Sequence, residues 1–358
     1  MNRFMLRFSK LLVLVGAISS IGAYRGCVFE PLEKDFITTN ASINLQGTIS
    51  EFNADGKWLK NYPGEVRLKK NDIYITNWQA TDGTVWKVEN VAIQNGINTI
   101  EGDVRFKNAS NTWVNSTIPE FLVEKKTDLT SQGVQKVFFD YSAANIDEQI
   151  KSMGENTLNH TFTAAELDQF VVDVKAKIRS IFISAYNGTN IQLVNAAGTD
   201  IHTIKFSGNT RCDYYGESPL DYKNLTKAQT SNIYLGTFKC IVVDDNRLLN
   251  STAATKDDSI AQRVADIGTF IGRTVVHELG HSLGLTDEGN LHGCEGTHNC
   301  EGYDASNPSD RFDDGHYMMD PGPKSTIWAR IGQANSSTRK AQVPRFNSYN
   351  KSYLGIIH

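Results

Sequence analysis

Short alternations of apolar and polar residues run from about Asn40 to Lys125 and predict β-strands. Turn-forming pairs separate these alternations, as expected for an antiparallel sandwich of ordinary domain size. We therefore predict an all-β module over residues 38–126. The alternating positions are Ile43, Leu45 and Ile49; Val66 and Leu68; Ile73 and Ile75; Trp86 and Val88; Val91 and Ile93. The turn pairs are Asp55-Gly56, Pro63-Gly64, Asp82-Gly83 and Asn95-Gly96.

Helical spacing appears after a polar stretch, residues 124–133, that reads as a linker. Apolar residues three and four apart predict a helix from Ala164 to Tyr186, capped by Thr161 or Thr163, and a second from Asp258 to Leu283. Together with the predicted strands, these helices make residues 134–358 an α+β domain. The strands are predicted at Val137–Tyr141, Ile191–Asn195, Ile201–Phe206 and around Ile233–Val243.

The N-terminus has the three-part layout of a secretory signal. A basic segment, an apolar run from Leu11 to Ala17 and small residues up to Ala23 follow one another. We expect cleavage near Ala23, hence a signal peptide over residues 1–23 and a secreted protein, extracellular or periplasmic. The rest of the 358-residue chain has no apolar run long enough to span a membrane, and the net charge of −4 gives no basic footprint for nucleic acid.

Residues His277-Glu278-Leu-Gly-His281 carry the candidate chemistry. On a helix, His277 and His281 lie one turn apart on the same face, about 6 Å along the axis. Two imidazoles at this spacing can bind one ion such as zinc. Glu278 lies beside the first of these ligands, where it can act as the general base toward a water molecule activated by the metal.

Gly284 and Asp287 follow His281 at the spacing of a turn and a possible third metal ligand. Glycine adopts the left-handed conformation that ends a helix in a sharp turn, so the chain is predicted to bend at Gly284. Asp287 can then reach the metal as a third protein ligand and leave the fourth position to water.

The segment from His277 to Asp287 resembles the metzincin signature HExxHxxGxxH of zinc metallopeptidases, with aspartate at the third ligand position as in snapalysin-like secreted bacterial peptidases. Downstream, His316-Tyr-Met-Met-Asp-Pro321 resembles the "Met-turn" of matrixins and places Met319 beneath the metal. The resemblance implies a metzincin-like catalytic domain, a mixed twisted sheet with two long helices. It also implies that the strand before the metal helix, Ile233–Phe238, edges the cleft and pairs with an extended substrate.

The function that this resemblance implies is a secreted zinc endopeptidase acting on proteins or peptides, with His277, His281 and Asp287 on the metal and Glu278 as base. An alternative is a secreted surface-binding or adhesion protein whose metal site is structural or has lost activity. A second alternative is a metal-dependent hydrolase of non-peptide amides. Neither the cleavage specificity nor the oligomeric state follows from the sequence.

The upstream module resembles bacterial immunoglobulin-like domains through the run Val91–Val104. Such a module can bind a cell-surface or matrix ligand, act as a spacer, or cover the cleft as a pro-domain. The sequence leaves these three roles open.

Five cysteines fit an exported protein. Cys212 can pair with Cys240 and Cys294 with Cys300, which leaves Cys27 as a thiol, a lipidation site or a latency ligand on the zinc. Alternatively, Cys294, His298 and Cys300 can form a structural zinc site.

The polar segment after Asp287 offers further ligands. His292 can replace Asp287 as the third zinc ligand. The acidic residues are expected to form the solvated wall of the cleft, and the alternative is that they hold calcium as a second ion. These acidic residues are Asp304, Asp310, Asp313 and Asp314. The tail from Thr326 to His358 has few apolar residues and is predicted to wrap the domain surface.

Overall fold

A computed structural model describes most of the chain, which divides into two compact units, Met1–Asp128 and Leu129–His358. The boundary falls inside the polar stretch predicted as a linker. The chain as described is a mixed α/β protein. The described residues are 23–30, 35–52, 58–108, 110–156, 158, 160–211, 214–240, 259–286, 293–294, 298–299, 317–319 and 345–358.

The first unit is built from two sheets that share one apolar core. Trp86, fully buried, comes from one sheet, and Val104 and Phe106 come from the other. The first sheet contains β1 (Ala23–Glu30), β3 (Ser42–Phe52), β4 (Trp58–Tyr62) and β8 (Val85–Ala92). The second contains β2 (Phe36–Thr38), β5 (Gly64–Lys70), β6 (Ile73–Tyr74), β7 (Gln79–Ala80), β9 (Gly96–Lys107) and β10 (Trp113–Lys125).

Most of the predicted alternation faces this core, with one exception. Ile43, Leu45 and Ile49 are buried as predicted, but Ile73 and Ile75 are 69% and 38% exposed. The prediction was wrong there because β6 has only two residues and lies at the end of its sheet. The run Val91–Val104 covers the end of β8 and most of β9, so one more strand, β10, follows it.

Arginines of β5 and β9 lie against aromatic rings of β6, of β10 and of the segment between β6 and β7. The Arg67 guanidinium lies 4.0 Å from the ring centre of Tyr74 and 4.6 Å from that of Trp78. Arg105 lies 4.3 Å from Trp78 and 4.8 Å from Trp113. Cation–π contacts of this kind brace one strand against the next.

The second unit contains a five-stranded sheet with the order β12-β11-β13-β15-β14. The first four of these strands are parallel, and β14 is antiparallel to β15. These strands are β11 (Gln135–Asp140), β12 (Ile191–Val194), β13 (Ile201–Ser207), β14 (Gly216–Glu217) and β15 (Thr230–Tyr234). A separate hairpin pairs β16 (Gly293–Cys294) with β17 (His298–Asn299).

Five helices lie in the described part of the second unit. They are α1 (Ile146–Glu155), α2 (Ala164–Ala185), α3 (Leu235–Lys239), α4 (Ile260–Ser282) and α5 (Ser348–Ile357). The order β11, helices, β12 to β15, helices agrees with the predicted order of strand, helix, strands and helix, with α1, α3 and α5 added. None of the described helices is both long and apolar enough to cross a membrane.

The strand predicted at Ile233–Phe238 was wrong in two respects. β15 ends at Tyr234, and Leu235–Lys239 forms α3. β15 also lies inside the sheet, between β13 and β14, so the terminal strand is β14. Apolar residues in a row do not distinguish an inner strand from the start of a buried helix.

The two long helices begin at side-chain caps and pack closely together. The Thr163 hydroxyl and the Glu166 carboxylate form the predicted capping box of α2, and the Ser259 hydroxyl caps α4. At Gly272 of α4, a methyl group would lie 2.9 Å from Cβ of Ile181 of α2. The absent side chain is therefore what allows the two helices to approach.

The C-terminal tail was predicted on the surface, but its last helix is part of the core. Tyr349, Tyr353 and Ile357 of α5 are buried. The backbone N–H of Gln132 donates to the Ile357 carbonyl at 2.7 Å, and that of Asn190 donates to the His358 carbonyl at 2.9 Å. Helix α5 thus connects the start of the unit with the loop after α2.

Several predicted features lie outside the described residues. They are residues 1–22 of the signal peptide, Asp55-Gly56, the side chains of Cys27 and Cys294, Cys212 and Cys300, and Asp287, His292, His316, Asp304, Asp310, Asp313 and Asp314. The disulfide pairings, the latency role, the signal cleavage and the calcium site stay predictions.

The close contact at Gly272 predicts a loss of stability in Gly272→Ala. Alanine favours helix by up to about 1 kcal/mol, but overpacking against Ile181 costs about 1–3 kcal/mol. We expect the free energy of unfolding in urea to fall by roughly 1–2 kcal/mol. Gly355→Ala, where a methyl would meet no atom within 4 Å, is the control and should not destabilise. A free energy of unfolding of Gly272→Ala equal to that of the parental protein would contradict the close packing of α4 against α2.

Candidate metal centre

Helix α4 presents two imidazoles to one point. The ring centres of His277 and His281 are 4.7 Å apart, and their Nε2 atoms are 3.0 Å apart. This convergence follows from the i, i+4 spacing, as predicted. His281 is buried, whereas His277 is half-buried. Of the two rings, that of His277 is therefore the more accessible to solvent.

A third histidine, His298, completes the cluster. It lies in β17, where it pairs with Cys294 of β16. Its ring centre is 5.2 Å from that of His277 and 5.1 Å from that of His281. One nitrogen of each of the three rings lies within 4.8 Å of the others. The sequence alone did not identify His298 as a partner of the helix histidines.

Asp287, the predicted third ligand, lies just beyond Thr286 and outside the described residues, as does the alternative ligand His292. His298 had been considered only for a structural zinc site with the two neighbouring cysteines. Gly296, between Cys294 and His298, indicates a hairpin in the sequence. A hairpin at this position allows the side chain of His298 to face the preceding helix, but the sequence does not show which way it faces.

A backbone carbonyl orients His277. Its Nδ1 lies 2.7 Å from the carbonyl oxygen of Met318. Since a carbonyl only accepts hydrogen bonds, Nδ1 carries the proton and the lone pair is on Nε2, the nitrogen that faces His281. In metal-binding histidines, the ring nitrogen that does not bind the metal commonly donates a hydrogen bond of this kind, and this bond fixes the tautomer.

The neighbouring residue, Met319, packs beneath the same turn of the helix. It is fully buried, and a methyl group on Gly280 would lie 2.4 Å from its sulfur. Met319 therefore fills the space left by a missing side chain on α4, which is the packing role that the Met-turn resemblance implied. The segment 317–319 thus fixes both His277 and the helix turn that carries it.

Burial keeps His281 neutral. Desolvation, together with a smaller effect of the nearby His298, lowers its pKa to about 3. Because the neutral imidazole is the metal-binding form, a lone pair is available at neutral pH without prior loss of a proton.

Glu278 is buried, at 6% exposure, and its carboxylate lies against the terminal strand of the sheet. A methyl group on Gly216 of β14 would be 2.7 Å from Cγ and 2.8 Å from Oε1 of Glu278. The absent side chain at Gly216 therefore provides the space that the carboxylate occupies.

Gly284 turns the chain after the metal helix as predicted. Its φ is +75°, and the N–H groups of Gly284 and Leu285 donate to the carbonyls of His281 and Gly280. A methyl group at Gly284 would lie 2.6 Å from Cα of Tyr222. Both the left-handed backbone and the close approach of another segment require glycine here.

The donor set fits a metal ion with a tetrahedral shell. With zinc–nitrogen bonds of about 2.0–2.1 Å, the edge of a tetrahedron is roughly 3.3 Å. The 3.0 Å separation of the two Nε2 atoms is close to this length. Three imidazoles leave one position open, as in catalytic zinc sites, although imidazole also suits copper, iron and nickel.

Comparison with known proteins assigns no family, since no family model matches the chain and no curated protein matches it. Among solved structures, CopC from Methylosinus trichosporium OB3b matches at 10% sequence identity and a TM-score of 0.19, over 29% of this chain and 98% of that one. We therefore interpret the metal centre from its own geometry.

The cluster predicts that His298 contributes to metal affinity. In a zinc titration against a chromophoric chelator, His298→Ala should weaken binding at least about 100-fold, because a ligand matters more than the outer groups that tune it. His160→Ala, which removes a half-exposed histidine outside the cluster, is the control. If His298→Ala binds zinc with the parental affinity and Asp287→Ala does not, then Asp287 is the third ligand instead.

Proposed function

We propose that this protein is a zinc-dependent endopeptidase. The observation that carries the proposal is a buried carboxylate, Glu278, on the same helix turn as His277 and His281, with His298 completing the histidine cluster. A site that only stabilises the fold has no use for a buried base beside its ligands. The resemblance of residues 277–287 and 316–321 to metzincins supports the same conclusion.

In this proposal His277, His281 and His298 hold the ion. Zinc, when bound, supplies Lewis acidity and makes water a better nucleophile near neutral pH. Asp287 stays a predicted ligand, and the affinity comparison above decides between it and His298. The Met318 carbonyl keeps the His277 ring in the orientation and tautomer that metal binding requires.

Glu278 handles the proton. It accepts a proton from the attacking water and later donates it to the leaving amine, so that hydrolysis needs no covalent intermediate. The contact with β14 supports this role, because it holds the carboxylate at one place beside the histidines. A base whose position is fixed in advance loses little entropy when the substrate binds.

The terminal strand β14 offers a place for the peptide. Among the described strands β14 pairs only with β15, so no described strand occupies the other edge of Gly216–Glu217. An extended peptide can add to such an edge through main-chain hydrogen bonds. A peptide added there would lie next to Glu278, so in this proposal the substrate strand is β14 rather than Ile233–Phe238.

Secretion completes the proposal. The signal layout of residues 1–23 supports export to the periplasm or the medium, where a peptidase meets protein substrates outside the cytoplasm.

Glu278→Gln tests the proposed chemistry, because it keeps the shape of the side chain and removes the base. We expect the zinc content to stay at the parental level while chelator-sensitive cleavage of casein falls by about 100-fold or more. Glu155→Gln, which alters an exposed carboxylate at the end of α1, should cleave normally. Parental cleavage by Glu278→Gln would refute the role of this residue. Bound zinc without any cleavage by the parental protein would favour a binding protein.

Gly216→Ala tests the contact that positions Glu278. The new methyl group would also lie 2.8 Å from the backbone oxygen of Asn232, which the sheet holds in place, so the Glu278 side chain is the neighbour that has to shift. A displacement of even 1 Å at a catalytic group can cost about 100-fold in rate.

We expect kcat of Gly216→Ala to fall about 10- to 100-fold with zinc affinity retained. Gly208→Ala is the control, since its methyl would meet other atoms only at 3.5 Å or beyond. Equal kcat values for the two variants would show that Gly216 does not position Glu278.

A further inference from the structure

A cavity of about 460 Å³ lies between helices α2 and α5. Each helix contributes residues three and four apart, which share one helix face. They are Ile181, Ser184 and Ala185 of α2 and Lys351, Leu354 and Gly355 of α5. No residue of α4 is among the described residues that line the cavity. Its volume is within the range of about 300–1,000 Å³ that is typical of sites for small organic ligands.

The buried part of the cavity lining is apolar. Met318, Phe346 and Leu354 line the cavity, and all three are buried. Gly355 leaves further space, because a methyl group there would meet no atom within 4 Å. Since an apolar group that enters such a space loses contact with water, the cavity suits an apolar chain.

The charged residues that line the cavity are both cations. Arg345 and Lys351 are exposed, so their charges lie at the mouth, and no aspartate or glutamate is among the described lining residues. Neither cation has an ion-pair partner in the described part of the chain. The first turn of α5, between them in sequence, has no acidic residue, so the positive end of the helix dipole adds to their field. In a chain of net charge −4, this is a local site for an anion.

One residue of the lining also contacts the metal centre. The N–H of Met318 donates to the Arg345 carbonyl at 2.9 Å, and the Met318 carbonyl lies 2.7 Å from Nδ1 of His277. The cavity therefore lies behind the segment that orients a metal ligand. A ligand in the cavity has to be distinguished from one that binds the metal directly.

We propose that this cavity binds a fatty acid. Its carboxylate binds Arg345 and Lys351 at the mouth, and its chain packs against Met318, Phe346 and Leu354. A guanidinium group matches a carboxylate through two parallel N–H···O hydrogen bonds, and the buried apolar residues match the chain. This ligand site goes beyond the proposed peptidase activity and does not depend on it.

Calorimetric titration of the full-length, zinc-loaded protein, without excess zinc, tests the site with laurate below its micelle concentration. We expect one laurate per chain. Decanoate, which is two CH₂ groups shorter, should bind roughly 10- to 15-fold more weakly, since each buried CH₂ changes affinity about fourfold. Dodecyltrimethylammonium has a chain of the same length with a cationic head, and it should bind at least about tenfold more weakly than laurate.

Two variants alter the two halves of the site separately. Arg345→Gln/Lys351→Gln removes the charges and should weaken laurate binding about fivefold or more. Gly355→Leu places a side chain in the open space and should weaken it about tenfold or more. Lys87→Gln/Lys136→Gln, which removes two exposed lysines from strands β8 and β11, is the control and should bind laurate as the parental protein does. The melting temperature of each variant shows that it is folded.

Acetohydroxamate, a small ligand for zinc, separates the cavity from the metal centre. At a saturating concentration it should leave the laurate affinity unchanged. Displacement of laurate by acetohydroxamate would place the fatty acid on the metal and overturn the proposed site. Parental affinity in the folded Arg345→Gln/Lys351→Gln variant, or equal binding of laurate and dodecyltrimethylammonium, would overturn it as well.

Discussion

The metal centre depends on the burial of one helix on every side. From Asp266 to Val276 and again from Glu278 to Thr286, every residue of α4 and its closing turn is buried. His277 is the half-buried exception. A helix enclosed in this way cannot rotate without opening its packing against α2, and dense cores resist such changes. The directions of the two imidazoles and of the Glu278 carboxylate are therefore fixed by packing some distance from the metal centre.

Backbone groups then do much of the fine positioning. The Met318 carbonyl sets the tautomer of His277, the Gly284 turn lets another segment approach the helix end, and the Asp221 N–H binds the His281 carbonyl. Of the three histidines in the described cluster, only His298 comes from an element outside α4, a two-residue strand. Two of the donors are thus held rigidly on the helix, and the third is on a short hairpin. Three protein donors leave a coordination position for water, as the proposed function requires.

The sequence predicted the parts of this site that local patterns encode. His277, Glu278 and His281 follow from helical spacing, and Gly284 follows from turn chemistry. His298 did not, because a contact between a hairpin and a helix depends on tertiary packing, and the pattern around His298 also fitted a structural zinc site. Helix α5 was missed because its buried positions include two tyrosines, Tyr349 and Tyr353, which are amphipathic and read as surface residues. The order of β14 and β15 depends on which strands pair in the sheet, and the apolar periodicity of a strand does not specify its neighbours.

The central claim is that three imidazoles surround one catalytic ion, and X-ray absorption at the zinc edge of the loaded, full-length protein tests it most directly. The account predicts nitrogen or oxygen neighbours at about 2.0–2.1 Å with the multiple-scattering signature of three imidazole rings. A sulfur neighbour at about 2.3 Å, or the signature of fewer than three imidazoles, would contradict it.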